Sequence, residues 1–504
     1  MKTTYLRTAV LIVIAVQFLG SCTKDFLEVA PRGTQIESNY YKNPEEAFNG
    51  LIATYDPVGW EGFNGNANFI ALNIASDDHL SGGSSSTDGY SYQVWHTYTL
   101  TATDGPQISF WSRNFAGISR ANTLISKLES KIPGLSEALT KRYLAEAKFL
   151  RAYFYFDLVR LFGRVPLFTE PLSTEKIYEV EQVSPSETYA QIEKDLKEAI
   201  DEPNLPNTVQ ATTEGGRVTK GAAKALLGKV YLYEKKWADA AKEFGEVNGT
   251  PGGTSTYGYK LLAKFSDIFV PTNKFNSESV FEVVHTNLAA SGNAPLQLTE
   301  GFMASTMVGP RGYSGPFYYS AWGFSPVSDD LFNAIHYDPR YKATVADLDS
   351  LVKIKAAKYT PSYLNTGHFV QKFAPLTAYR STTGGNILRN YPQDYIEIRL
   401  ADTYLMEAEA LVQAGGNASR AAALLNAVRN RVGLVPVAAT LDNIYKERRL
   451  ELATEGHRWY DLVRTGRAAT LLKPKGFVAG KHEFLPIPFQ ELTNTKMVQN
   501  LGYN

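Results

Sequence analysis

The chain has 504 residues, 44% of them hydrophobic, and 51 basic side chains balance 51 acidic ones. A chain of this length can bury a large core and divide into two or three domain-sized units. Because the formal net charge is zero, no global field favours nucleic acid or an anionic membrane surface as a partner. The single cysteine excludes an internal disulfide and a cysteine-based metal site.

The N-terminus has the pattern of a lipoprotein export signal. Lys2 and Arg7 precede a short apolar run over residues 9–19, and two small residues then lead to Cys22. The thiol in such signals is acylated before cleavage, so we expect residues 1–21 to be removed and Cys22 to be lipidated. The alternatives are an ordinary secretory signal with a chance cysteine, or a buried N-terminal helix. We expect a soluble body on a lipid tether.

Helices and loops alternate in the first part of the body. Residues 43–55 are predicted to be helical, with Pro44 in the first turn. Residues 56–105 are rich in Gly, Ser, Asn and scattered aromatic residues without a period, which predicts long surface loops that serve a function. Helical order returns at residue 110. Residues 136–162 carry apolar side chains on two faces, which predicts a helix buried from both sides.

Two later segments have a repeat pattern. Residues 225–247 match the tetratricopeptide pattern of two antiparallel helices that pack through small residues, and residues 401–432 form a looser second copy. Together with the long helix, these pairs predict a mainly α fold, a scaffold of tetratricopeptide-like helical hairpins with long loop-rich insertions and few short strands. Generic helical hairpins without repeat ancestry are the alternative.

The segment 252–390, between the two pairs, is again rich in loops. Short strand-like pieces interrupt it, such as residues 279–284. Residues 313–323 combine many aromatic side chains with Gly and Pro, a composition that excludes a regular helix.

No specific catalytic motif is present in the sequence. The seven histidines are scattered without metal-ligand spacing, so metal catalysis has no support. Two adjacent carboxylate pairs could serve as a glycosidase acid and base. Asp329 and Asp330 follow Ser328 and precede an apolar segment, which favours a capped helix start. For Asp77 and Asp78, ligand contact and turn formation are both open.

The run of residues 444–464, IYKERRLELATEGHRWYDLVR, closely resembles the signature of the SusD/RagB family of surface lipoproteins. The resemblance spans essentially the whole mature chain, with Leu501 as a departure where the family usually has proline. It divides the body into an N-terminal SusD-like part, 22–250, and a C-terminal SusD/RagB part, 265–504. Further family motifs stand in the expected order, namely residues 25–27, 146–153, 399–402, 407–410, 485–488 and 499–500.

This resemblance implies a non-catalytic lipoprotein on the outer membrane, exposed at the cell surface. It implies binding of an oligosaccharide, or of a peptide in RagB-like members, and delivery to a SusC-like TonB-dependent β-barrel transporter. It implies no cofactor and no nucleic acid. A surface glycoside hydrolase with an unrecognised acid pair is the alternative from another class.

The signature run itself is predicted to be structural. The spacing of Arg448 to Glu451, and of Glu455 to Arg458, allows ion pairs on one helix face, and Trp459 and Leu462 offer apolar packing. The enzymatic interpretation would make Glu451, Glu455 and His457 an acid and base set. Charges on a helix beside apolar residues are more often pairing partners than catalysts.

The ligand site is predicted on the aromatic loop regions. Sugar rings stack their C–H faces on Trp and Tyr, and their hydroxyls need short polar partners. Trp95 and Trp322 are the strongest candidates, since both lie beside loop residues and outside helical periodicity. For any single ring, packing in the core is an equally open interpretation. The candidates are Asp78, Tyr90, Tyr92 and Trp95 in the first region and Arg311, Tyr319 and Trp322 in the second.

Overall fold

The structure is a computed structural model that describes residues 40–60, 68–287, 301–380 and 388–503. The predicted export signal and the predicted lipidation residue Cys22 lie outside the described residues. The α-helices of the described ranges are, in chain order, α1 (Pro44–Tyr55), α2 (Asn68–Ala75), α3 (Tyr90–His96), α4 (Gln107–Glu129), α5 (Glu137–Phe162), α6 (Thr174–Ile177), α7 (Pro185–Asp201), α8 (Ala211–Glu214), α9 (Lys220–Tyr233), α10 (Trp237–Asn248), α11 (Ala304–Val308), α12 (Asp329–Ile335), α13 (Tyr341–Thr344), α14 (Leu348–Lys353), α15 (Leu400–Gln413), α16 (Ala418–Arg431), α17 (Leu441–Glu451), α18 (His457–Arg464), α19 (Ala468–Leu471) and α20 (Phe489–Leu492).

Within the described ranges, short strands form two antiparallel pairs. Strand β1 (Ser279–Val283) pairs with β4 (Tyr395–Arg399), and β2 (Val345–Asp347) pairs with β3 (His368–Val370). The pairing of β1 with β4 joins two segments that are far apart in the sequence. The mainly α fold with few short strands is therefore confirmed, and the predicted strand at 279–284 is present.

The long helices begin and end where the sequence predicts. The side chain of Asn43 accepts a hydrogen bond from the backbone N–H of Glu46 at the start of α1. The hydroxyl of Ser136 accepts one from Leu139 at the start of α5, and Gly163 follows the last turn with a φ of 68°. Helix α5 is buried along most of its length, as its two apolar faces predict.

The two predicted helical pairs are present, and they belong to one stack. Helix α9 packs on α10, α10 on α15 and α15 on α16, while α9 also contacts α7, which lies on α5. The two helices of a pair cross at small residues. In the first pair, Gly228 of α9 lies against the ring of Phe244 of α10. Ala408 and Ala421 are likewise fully buried in the second pair. Contact between consecutive helices gives the scaffold one continuous core.

The prediction that residues 56–105 form long surface loops is wrong in part. The segment contains α2 and α3, and most of the described side chains from 69 to 83 are buried. These helices have eight and seven residues, too few for a clear apolar period. They are also enclosed by other elements, so their buried side chains do not follow one face. In contrast, the described residues 313–323 contain no helix, as expected.

The signature run is not one continuous helix. It divides into α17 and α18, and the break contains Thr454 and Gly456, both with positive φ. Trp459 and Leu462 are fully buried, which confirms their packing role.

The ion pairs predicted within the run are wrong. Arg448 pairs with Asp402 and Asp461, and Arg458 pairs with Asp77. The predicted partners Glu451 and Glu455 instead contact cations from other elements. Most of the run is buried, so its charged side chains need oppositely charged partners, which neighbouring elements supply. The break at 452–456 also separates α17 from α18, so Glu455 and Arg458 do not share one continuous helix face.

Candidate functional site

Three loops meet near the N-terminus of α3. Gly82 and Phe324 form an isolated β-bridge, and the N–H of Gly83 donates to the carbonyl of Gly323 at 2.9 Å. The N–H of Tyr363 donates to the carbonyl of Gly83, also at 2.9 Å. These hydrogen bonds between backbone groups fix the relative positions of loops that lie far apart in the sequence.

Four side chains reach solvent where the loops meet, and together they form what we call the loop surface: Tyr90, Arg311, Trp322 and Tyr363. Tyr90 is 54% exposed and Tyr363 is 37% exposed, while Arg311 and Trp322 are half-buried. Trp322 packs on the edge of the main core. Of the four, Tyr363 is absent from the sequence prediction, although its turn of Thr, Pro and Ser was a usable signal.

The backbone beside Arg311 is closely constrained. Its carbonyl accepts a hydrogen bond from the N–H of Thr360 at 2.8 Å. Gly323 adopts a φ of 74°, and a Cβ at that position would lie 2.7 Å from Cγ of Arg311. Glycine is therefore required at position 323, because a larger residue would collide with the Arg311 side chain. No carboxylate of a described residue forms a salt bridge with Arg311, so its N–H groups are available to a polar ligand.

Trp95 does not lie in a loop. It belongs to α3, has no exposed surface and packs edge to face against Phe110 at 5.8 Å and Trp459 at 5.7 Å. The expectation that it lies outside helical periodicity is therefore wrong, because α3 is too short to display a period. In this position its ring cannot stack on a ligand, and Trp95 is not part of the loop surface.

Tyr92 and Tyr319 are also buried. Tyr92 packs its ring against Phe324, with 5.5 Å between the ring centroids. Tyr319 lies under the guanidinium of Arg380, which is 5.4 Å from the ring centroid, and burial raises the pKa of its hydroxyl. Both rings therefore pack against neighbouring side chains of the protein. Their roles in ligand binding stay predictions.

Asp77 and Asp78 lie in a turn, in agreement with one of the two open interpretations, and their carboxylates pair with arginines. Asp78 is 1% exposed and contacts Arg449 at 2.6 Å, and Asp77 contacts Arg458 at 2.7 Å. Both arginines belong to the signature run, so the pair attaches the first loop to the C-terminal part. This burial removes Asp78 from direct ligand contact in the structure.

A lysine holds the same loop from the other side. Nζ of Lys475 donates to the carbonyls of Ile74, Ser76 and His79 at 2.5, 2.6 and 3.0 Å. These carbonyls end α2 and begin the loop, and they accept hydrogen bonds from the N–H groups of Lys475, whose pKa burial lowers to about 7. The end of α2 and the start of the loop are therefore held by one side chain.

The other candidate carboxylates have structural partners. Ser328 accepts a hydrogen bond from the N–H of Leu331 at 3.2 Å, so the helix start predicted at Asp329 and Asp330 is confirmed. Although burial opposes ionisation, Arg431, Arg399 and Arg340 hold the pKa of Glu451 well below its usual value.

Burial lowers the pKa of His457 to about 4, which leaves the imidazole uncharged at neutral pH. Over the described ranges, no three His, Cys, Asp or Glu residues are grouped to hold a metal ion. Within the same ranges, each helix is too short or too polar to cross a bilayer.

Two family models match the chain. A model described as "SusD family" matches residues 337–503, and one described as "Starch-binding associating with outer membrane" matches residues 25–232. A SusD-like protein of Bacteroides ovatus is 26% identical over 481 residues, which cover 91% of this chain and 82% of the relative.

Solved structures are also similar. A "Laminarin binding SusD-like protein" is 49% identical, with a TM-score of 0.88 and coverage of 92% of this chain and 100% of that chain. The surface glycan-binding protein A of Bacteroides thetaiotaomicron, in complex with laminarihexaose, is 26% identical, with a TM-score of 0.82 and coverage of 91% and 99%.

Proposed function

This chain belongs to the SusD family, and on that premise we propose that it is a non-catalytic lipoprotein that captures an oligosaccharide for uptake. The observation that carries the proposal is the 49% identity over 92% of the chain to a laminarin-binding protein. The laminarihexaose complex of a more distant relative supports laminarin oligosaccharides as the first ligands to test.

The absence of catalysis is part of the proposal. An acid and base pair needs a carboxyl group that can exchange a proton with substrate. Asp77, Asp78, Glu451 and Glu455 are instead engaged by cations in the core. These contacts support a binding role and leave the four carboxylates without a reaction to perform.

We place capture on the loop surface. Tyr90, Trp322 and Tyr363 offer aromatic faces to the C–H faces of sugar rings, and Arg311 offers N–H donors to hydroxyl groups. The bonds between the three loops hold these groups before a ligand arrives, which lowers the entropic cost of binding. Trp322 is the central member, because it is anchored in the core on one side and open on the other.

Calorimetric titration with laminarihexaose tests this site. We expect Trp322→Ala and Tyr90→Ala each to weaken binding about tenfold or more, equivalent to about 1.4 kcal/mol. Tyr337→Ala is the matched control, since Tyr337 is 91% exposed and lies outside the loop surface. This variant should bind laminarihexaose with the affinity of the wild type. Unchanged affinity in both loop-surface variants would disprove the site. Binding of peptides and of no glycan by the wild type would support peptide capture instead.

We further propose that Cys22 carries the lipid anchor and that a SusC-like TonB-dependent barrel in the outer membrane receives the ligand. The family model that matches the N-terminal part carries an outer-membrane description, which supports this location. A stable complex should bury well above roughly 1,000 Å². Gentle detergent extraction and affinity purification should recover the barrel in near-equal amount, and Cys22→Ala should move this chain to the soluble fraction. Recovery of this chain alone beside a co-expressed barrel would contradict the partnership.

A further inference from the structure

A second cleft lies apart from the loop surface. It has a volume of about 260 Å³ and is formed by the connection between α7 and α9 together with residues around 257–259 and 275–282. None of the four loop-surface residues lines it. The volume is just below the roughly 300–1,000 Å³ of small-molecule pockets, so the cleft suits a short ligand.

Phe275 lines this cleft in an unusual backbone conformation. Its φ is 50°, a region that a bulky residue seldom adopts. Its N–H donates to the carboxyl oxygens of Glu282 at 3.0 and 3.1 Å, which holds the backbone in place. A Cβ on Gly215 would lie 2.5 Å from the Phe275 ring, so the absent side chain provides the space for that ring. A bulky residue that its neighbours hold in this conformation is a feature that clusters at ligand-binding sites.

A tyrosine pair provides the second aromatic element. Tyr259 is buried, and its hydroxyl lies 3.0 Å from the hydroxyl of Thr219. The ring of Tyr257 lies 6.3 Å from that of Tyr259, at an angle of 30°, and remains half-exposed. Tyr259 thus supports Tyr257 from behind, and Tyr257 keeps surface available to a ligand.

The charges that line the cleft are compensated. Arg217 pairs with Glu146 and Glu214. Burial, together with the neighbouring Asp394, raises the pKa of Glu282 to about 8, so this carboxyl is largely protonated at neutral pH. A cleft without an uncompensated charge favours a neutral ligand, because an ionic ligand would lose its hydration without gaining a partner.

Polar groups at the rim complete the chemistry. Asn207 and Thr208 line the cleft with an amide and a hydroxyl, and both side chains are exposed. The amide offers two donors and an acceptor, and the hydroxyl offers one donor. Aromatic faces beside neutral donors and acceptors match a sugar ring, which has apolar C–H faces and hydroxyls at its edge.

We propose that this cleft is a second carbohydrate-binding site, which takes one or two rings of a neutral glycan on Tyr257 and Phe275. The ligand class follows from the cleft itself, while the choice of laminarihexaose as the probe rests on the proposed function. A second contact on the same long glycan would raise the overall affinity without strengthening either site.

The experiment uses the full mature chain with the loop surface disabled. In the Tyr90→Ala and Trp322→Ala double variant, saturation-transfer NMR with laminarihexaose should still detect weak binding. Addition of Tyr257→Ala should weaken that residual binding at least tenfold, whereas Tyr257→Phe should retain most of it, because the ring is kept. Tyr178→Ala is the matched control, since Tyr178 is 54% exposed and lies outside the cleft.

The outcomes separate the two proposals. Loss of all binding in the double variant, with full binding in the wild type, would overturn the second site and leave the loop surface intact. Residual binding that Tyr257→Ala does not change would also overturn it. Gly215→Ala provides an independent change, because its Cβ would displace the Phe275 ring. That Cβ would also lie 2.6 Å from the backbone oxygen of Ala211, so the variant tests the site when the residual binding weakens while the circular dichroism spectrum and the unfolding temperature stay those of the wild type.

Discussion

The side chain of Arg399 contacts three carboxylates in the core. Its guanidinium lies 2.6 Å from Glu451, 2.7 Å from Glu455 and 3.1 Å from Glu278. Lys372 adds a fourth contact, since its ammonium group lies 2.6 Å from Glu455. Removing one cation from such a network leaves the buried carboxylates with less compensation, which costs more than the loss of a surface pair.

Lys372→Met tests this difference. We expect the free energy of unfolding to fall by about 3–5 kcal/mol, because Glu455 loses a buried partner. Lys141→Met is the matched control, since Lys141 pairs with Glu137 at the surface, where the loss of the pair should leave the free energy of unfolding nearly unchanged. Urea denaturation measures both. Equal losses would show that the buried network contributes no more than an exposed pair.

At the crossing of α9 and α10, the residue at the contact limits how closely the two helices can pack. Gly228 lies on the buried side of α9, and a Cβ there would come within 2.8 Å of the Phe244 ring. Gly245 lies on α10, where a Cβ would have its nearest neighbour, Oε1 of Glu407, at 3.5 Å. Only the first glycine is therefore required by the distance between the helices.

The two positions predict opposite effects of the same substitution. Gly228→Ala should destabilise the chain by about 1–3 kcal/mol, since the helices must move apart. Gly245→Ala should stabilise it by up to about 1 kcal/mol, through higher helix propensity without a collision. Thermal unfolding of both variants measures the contrast. Stabilisation by Gly228→Ala would contradict the packing described for this crossing.

Contacts between the N-terminal and C-terminal parts tie the chain together. Asp77 and Asp78 pair with Arg458 and Arg449, and the amide of Asn73 donates to the carbonyl of Thr454 at 2.8 Å. Helix α10 of the N-terminal part also packs on α15 of the C-terminal part. The division into residues 22–250 and 265–504 stays a prediction from the family pattern, and these contacts argue that neither part is independent.

We therefore expect the chain to unfold in one calorimetric transition. The fragment 265–504 alone should lack a fixed tertiary structure, because Arg449 and Arg458 lose their carboxylate partners and α15 loses α10, the helix on which it packs. Calorimetry of the full chain and near-ultraviolet circular dichroism of the fragment provide the measurements. Two separate transitions, or a folded fragment, would count against this coupling.

The sequence by itself determined the family and the helical scaffold, because those signals are local. Ser136 and Gly163 mark the ends of α5, the offsets around Gly228 mark a helical pair, and the run 444–464 identifies the family. Such features depend on neighbouring residues within a few helical turns. They are readable without knowledge of what packs against them.

Only the tertiary structure decided which aromatic and acidic side chains reach the surface. Trp95 and Trp322 look alike in the sequence, but Trp95 is enclosed by Trp459 and Phe110, whereas Trp322 stays half-open. Asp78 meets Arg449, which lies 371 positions later in the chain. Burial and pairing of this kind arise from contacts between distant segments. The local sequence pattern around a residue does not indicate which distant residue will contact it in the folded chain.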